Sequence, residues 1–269
     1  MILSIGEVLF DCYKEKGETK FLLGGAPFNV AYDVRKLGGD SYFVSAIGTK
    51  DHLEMEELIK EKTSNVYLFK ANCYNTKALV TLENGEREFS FIKDKDIMSN
   101  IVLNDDLKEL IDRSSLVHIG SLVDEEKYLN NLIYIIKYAK SRGKKISFDI
   151  NYRENISILP SLYPSILPYV DILKVSEDEL RFVDNLNSYE LVVVTRGEKG
   201  AYSLCSSRRI DVAGKKVEVV DTTGAGDAFF STVLTRLDQN GFNYSSLEEI
   251  LKEAVEVSAS ICLKKGALL

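Results

Sequence analysis

Leu116-Val117-His118-Ile119-Gly120, then an amphipathic stretch over residues 128–141, then Lys145-Ile146-Ser147-Phe148-Asp149 is the passage that decides the fold. The first and third pieces are short, apolar runs of strand length. Between them Leu132, Ile135, Ile136 and Ala139 recur at spacings of three and four, which is the period of a helix with one buried face. Arg142-Gly143 stops that helix. A strand, a helix and a second strand in this order require a parallel pair with a crossover.

The same texture continues in both directions. Strands are expected over residues 171–175, 191–195 and 201–205, with helices over 177–182, 228–237 and 247–263. Residues 1–10 read as one buried strand, because Glu7 and Asp11 break the apolar run and no basic leader precedes it. The expected class is α/β: a doubly wound, mostly parallel sheet between helices. Residues 76–93 differ, since Ala78-Leu79-Val80-Thr81-Leu82 and Arg87-Glu88-Phe89-Ser90-Phe91 flank Gly85 and read as an antiparallel hairpin. Together with residues 12–23 this hairpin would make a small β-sheet projecting from the core of one domain spanning residues 1–269.

Composition narrows the function. A formal charge of −7 argues against a nucleic-acid or anionic-membrane partner, because such binding rests on clustered Lys and Arg. Cys12, Cys73, Cys205 and Cys262 are far apart and form no Cys-x-x-Cys pair, and His52 and His118 offer no metal spacing. They read as reduced thiols in the cytoplasm.

Val220-Asp221-Thr222-Thr223-Gly224-Ala225-Gly226-Asp227-Ala228-Phe229-Phe230 carries the chemistry. Gly224, Ala225 and Gly226 allow backbone N–H groups to converge, and a helix starting there adds its positive end, so the turn suits an anion. Asp227 at its edge suits a general base for an attacking hydroxyl. The plainer alternative is an Asp N-cap on a glycine-started helix, with Asp221 or Thr223 capping. Gly24-Gly25-Ala26-Pro27-Phe28-Asn29-Val30-Ala31 places Asn29 one turn inside a second helix start, where its amide can serve a ligand hydroxyl or only nearby backbone.

These two segments resemble the signatures of the PfkB (ribokinase-like) carbohydrate kinases, Asp-Thr-x-Gly-Ala-Gly-Asp-x-Phe and Gly-Gly-x-x-x-Asn-x-Ala. The Gly-Gly-Ala-Pro form and Ile5-Gly6-Glu7-Val8-Leu9-Phe10-Asp11 are similar to the fructokinase-like branch. The resemblance implies a ribokinase-like fold and ATP-dependent phosphorylation of a sugar, with fructose first, 2-keto-3-deoxygluconate as the runner-up, and a catalytically silent sugar sensor or assembly subunit as the reading from another class. It implies Asp227 as base with Gly224, Ala225 and Gly226 as anion hole, and Asp11, Gly24, Gly25, Asn29 and Arg153 at the sugar. Ser176, Thr195, Gly197, Gly200, Gly224 and Gly226 fall to the nucleotide and Glu179 to hydrated Mg2+, with a monovalent cation as a further cofactor. Lys264-Lys265-Gly266-Ala267 matches a turn near the adenine, and the resemblance makes the small sheet of residues 12–23 and 76–93 a β lid that closes over the sugar and suits a homodimer.

The sequence also departs from the family. Gly48-Thr49-Lys50-Asp51-His52-Leu53-Glu54 lacks a second glycine, and the chain stops two residues after Ala267, where relatives continue; reduced adenine contacts are the corresponding expectation.

Overall fold

A computed structural model describes residues 1–15, 18–83, 86–92, 97–120, 126–152 and 162–269. The strands are β1 (Ile2–Ile5), β2 (Leu9–Glu15), β3 (Glu18–Gly24), β4 (Ser41–Gly48), β5 (Val66–Ala71), β6 (Lys77–Glu83) and β7 (Glu86–Ile92). They continue with β8 (Leu116–Ile119), β9 (Lys145–Asp149), β10 (Ile172–Ser176), β11 (Leu191–Thr195), β12 (Ala201–Cys205) and β13 (Arg208–Val212). The helices are α1 (Ala26–Lys36), α2 (His52–Lys62), α3 (Asp105–Arg113), α4 (Glu126–Ser141), α5 (Tyr163–Ile166), α6 (Ala225–Gln239) and α7 (Leu247–Ile261).

Nine strands form the central sheet in the order β13-β12-β11-β10-β9-β8-β1-β4-β5. It is parallel from β11 through β5, with β12 and β13 antiparallel at one end. Both faces are covered. Along β1, Ile2 packs into the core beneath α1, α6 and α7 while Leu3 packs into the core beneath α3 and α4; Leu116 and Val117, and Ile172 and Leu173, divide the same way. A strand buried on both faces needs a continuous apolar run, which is why these segments read so clearly.

The chain leaves β1 toward β4 and β5 on one side and returns to build β8 through β11 on the other, so the order reverses beside β1. Ligands in such sheets bind beyond the carboxyl ends of the strands at that reversal. Pro27, in the first turn of α1, sits close against it: a Cβ on Gly6 at the end of β1, or on Gly120 after β8, would overlap Pro27 Cγ. Ser4 Oγ donates to Pro27 O at 2.7 Å and fixes the approach.

Four further strands form a separate sheet, β3-β2-β6-β7, with β2–β3 and β6–β7 antiparallel and β2–β6 parallel. This is the small sheet expected from residues 12–23 and 76–93; Gly85 at its expected turn and residue 93 lie outside the described residues. Phe10 and Leu23 join it to Phe28 and Ala31 of α1 in one core.

Three expectations change. Residues 1–10 form two strands in different sheets, because backbone after Gly6 turns away to join the small sheet. The helix expected over 177–182 is a 3₁₀ segment, Asp178–Phe182. The helix expected from residue 228 starts at Ala225, so the Gly-Ala-Gly turn is its first turn.

Replacing Gly120 with Ala drives a Cβ into Pro27, and the expected loss is ~1–3 kcal/mol, read as a lower urea midpoint. An unchanged midpoint would show that α1 can shift away freely.

Candidate active site

Gly224 precedes α6 in the left-handed region at φ 78°, and no side chain caps the helix. A Cβ there would overlap Ala267 O, so the turn needs glycine for conformation and for space. The capping alternative is thereby set aside: Asp221 instead accepts from Thr223 N at 2.8 Å and from Gly266 N at 3.1 Å, holding the turn against residues 264–267. The Lys264-Lys265-Gly266-Ala267 turn thus braces the start of α6. An uncapped first turn presents backbone N–H groups and positive dipole to an anion.

Asp227 lies in that first turn and is 9% exposed. Asn29 Nδ2, from α1, donates to its Oδ2 at 2.7 Å. The other amide atom, Asn29 Oδ1, is buried and has no hydrogen-bond partner among the described residues. An orphaned acceptor beside a carboxylate matches a hydroxyl-bearing ligand, because burying it unpaired costs ~1–3 kcal/mol.

Asp11 is buried on β2, and Gly24 makes room for it, since a Cβ at residue 24 would overlap its carboxylate. Gly25, at φ 110°, brings the chain within 2.6 Å of Glu7 O, measured from the place its Cβ would take, and its carbonyl accepts from Asn29 N at 2.9 Å. Gly24 thus gives the Asp11 carboxylate its room, and Gly25 opens the helix that carries Asn29.

Ser176 and Thr195 stand side by side at the ends of β10 and β11. Gly197 and Gly200 follow with positive φ, and a Cβ on Gly200 would overlap Val212 O. Glu179 accepts from Tyr152 N at 2.5 Å and Ser176 N at 2.6 Å, tying the segment after β9 to the end of β10. With both oxygens engaged, it fits a cation through the cation's water shell rather than by direct contact. Among the described residues no group of three or more His, Cys, Asp or Glu has metal-holding geometry. Arg153 lies outside the described residues.

The structure adds a contact between two residues to which sequence reading assigned no role of their own, although Asp149 opens the segment Phe148-Asp149-Ile150-Asn151-Tyr152-Arg153 that resembles the family's Asp-x-Asn-x-Arg. Lys174 Nζ donates to Asp149 Oδ2 at 2.7 Å, both side chains buried, and the ammonium packs against Gly226. Burial pushes the Asp149 carboxyl up to about 6, with Lys174 opposing. Burial works against the Lys174 charge, yet Asp149, Glu179 and Asp227 outweigh it and raise its pKa. A lone lysine inside the apolar run Ile172-Leu173-Lys174-Val175 was the available signal.

The family description pfkB family carbohydrate kinase matches residues 1–269, and the chain belongs to that family. It is 33% identical over 311 aligned positions to Fructokinase-2 of Oryza sativa subsp. japonica, covering 100% of this chain and 90% of that one. Among solved structures, Vibrio cholerae O395 fructokinase in its fructose-, ADP- and calcium-bound form superposes with a TM-score of 0.83 at 26% identity, covering 99% of this chain and 94% of that one. Its Thr-to-Cys, His-to-Cys double mutant, with fructose, ADP and potassium ion, gives 0.83, 26%, 99% and 93%.

Asp33, one turn after Asn29 on α1, accepts from Leu269 N at 3.0 Å, and burial pushes its carboxyl up to about 8. Its folded value exceeds the unfolded one of ~4, so its contribution to stability is full below pH ~4 and is lost as the pH rises through about 8. Asp33→Asn, which keeps an acceptor for Leu269 N–H, is therefore expected to raise stability at pH 9 by ~2–4 kcal/mol relative to wild type, with the gain vanishing near pH 4. Urea titrations at both pH values check this, and a pH-independent difference would contradict it.

Proposed function

We propose that the chain is a fructokinase, transferring the γ-phosphoryl group of ATP to a primary hydroxyl of fructose, the 6-hydroxyl. The observation that carries the reading is the Asn29–Asp227 hydrogen bond at the uncapped start of α6, which sets a carboxylate, an orphaned acceptor and an anion hole side by side. Fructokinase relatives and the fructose- and ADP-bound neighbour support the substrates.

In this reading Asp11 and Asn29 hold sugar hydroxyls, in space kept by Gly24 and Gly25. Asp227 takes the proton from the attacking hydroxyl, while the turn at 224–226 meets charge that builds on the transferring phosphoryl oxygens. Arg153 belongs to the same reading as a donor to the sugar or phosphate. Ser176, Thr195, Gly197 and Gly200 border the nucleotide. Mg2+, when bound, supplies positive charge at phosphate oxygens, and Glu179 is placed to order its waters. A monovalent cation stays within the reading, since the potassium-bound neighbour supports one.

The small sheet serves as the lid that excludes water from the reacting groups. Its edge strands β3 and β7 are the surface for a homodimer, because an edge presents unpaired backbone groups to a second chain. Cytoplasmic residence accords with four free cysteines, and among the described residues no helix is long and apolar enough to cross a membrane.

ADP release with Mg-ATP and fructose, 2-keto-3-deoxygluconate, ribose, glucose or no sugar tests the assignment, with Asp227→Asn in parallel. The expected result is fructose-dependent turnover that falls ~10²–10⁴-fold in the variant, with sugar affinity little changed. Preference for another sugar would replace the substrate and keep the chemistry. Near-wild-type turnover by the variant would remove Asp227 as the base, and sugar binding without turnover by wild type would favour the silent sensor.

A further inference from the structure

Among the described residues, Lys174 and Asp149 form the least exposed ion pair, with side chains 7% and 2% exposed. Such pairs are seldom retained for stability. Removing an ammonium and a carboxylate from water costs several kcal/mol each in real proteins, and well-packed apolar replacements are often as stable. What Lys174 touches is therefore informative.

Its partners come from three elements. Asp149, at the end of β9, accepts a hydrogen bond from its ammonium at 2.7 Å and another from Asn151 N at 3.1 Å, so the carboxylate is fixed from two sides. Glu179, after β10, and Asp227, in the first turn of α6, both act electrostatically on the ammonium. Gly226 lies against it: the place its Cβ would take is 3.2 Å from Nζ and 3.6 Å from Cε. Gly226 thus leaves open, on the lysine's side of the turn, the space that any other residue would fill with a Cβ. The head of Lys174 lies against the turn at Gly226.

We propose that Lys174 is a positioning residue for phosphoryl transfer: pinned by Asp149, its ammonium sets Gly226 and the Asp227 carboxylate in the first turn of α6, a role that rests on the kinase reading above. The charge adds to the positive end of α6, where a transferring phosphoryl group would sit, and a preset charge costs no reorganisation during reaction. A group that acts this way changes the rate of the bound complex more than it changes binding.

The competing role is simple neutralisation of Asp149, and a double variant separates the two. Lys174→Met leaves Asp149 buried without its ion-pair partner and is expected to lower both Tm and kcat. Lys174→Met with Asp149→Asn removes the charge at both positions while Asn still accepts from residue 151. Thermal unfolding is followed for wild type and both variants, with kcat and KM for ATP and for the sugar that wild type phosphorylates best in the panel above.

The expected result is a double variant whose Tm returns to within a few degrees of wild type while kcat stays ~10–100-fold down and both KM values move less than ~3-fold. A double variant that regains wild-type kcat, loses only KM, or fails to fold assigns the pair to architecture and overturns the proposal alone. A wild type inert with every sugar overturns the kinase reading, and the proposal with it.

Discussion

Pro27 occupies the space that side chains at Gly6 and Gly120 would fill, and Ala267 O occupies the space of one at Gly224. Two helix starts, those of α1 and α6, are thereby brought hard against the carboxyl ends of the strands and against the terminal turn. The polar site follows from this steric constraint. Only because α1 begins so close to β1 and β8 does Asn29, one turn in, reach Asp227 in the first turn of α6. Glycine at these places costs chain entropy, and the return is a pair of helix N-termini held at fixed positions around one reversal of the sheet.

The electrostatics of the site have an unusual balance for a place that receives phosphate. Glu7, Asp11, Asp149, Glu179, Asp221 and Asp227 are buried around it, and among the described residues Lys174 is the one buried lysine or arginine. Carboxylates in such number repel an incoming polyanion. The counterweights are the amides and dipole of the uncapped α6, the ammonium behind Gly226 and, in the proposed reaction, cations that travel with the nucleotide. Glu179 shows how a carboxylate can be kept there without adding to the repulsion: two backbone N–H groups absorb its charge while it joins two segments.

Much of this was legible in the sequence, and the exceptions share a cause. Strands β9, β11 and β12 fell on the expected residues because burial leaves short, mainly apolar runs in which the polar interruptions, Ser147 and Ser203, are small. Asp227, Gly224 and Asn29 were singled out as candidates because their neighbours form recognisable turns. Residues 1–10 misled because an apolar run looks alike whether it enters one sheet or two. The segment after Ser176 is 3₁₀ because Glu179 reaches back to Ser176 N and across to Tyr152 N, a demand that periodicity does not record. Lys174 and Asp149 meet through the register of β10 on β9, where they lie directly opposite. No spacing along the chain announces a contact made across strands.

One helix connects the two halves of the proposed reaction. Asp11 sits on β2 between Phe10 and Cys12, which share a core with Phe28 and Ala31 of α1, and the same helix carries Asn29 to Asp227. The candidate sugar anchor and the candidate base are thus registered to one rigid element, although they belong to different sheets. Any movement of the small sheet that keeps this core packed leaves Asp11 in place relative to Asp227. In the proposed reaction, closure to exclude water then falls to the outer pair β6–β7, and the inner strand β2 keeps Asp11 as the candidate sugar anchor.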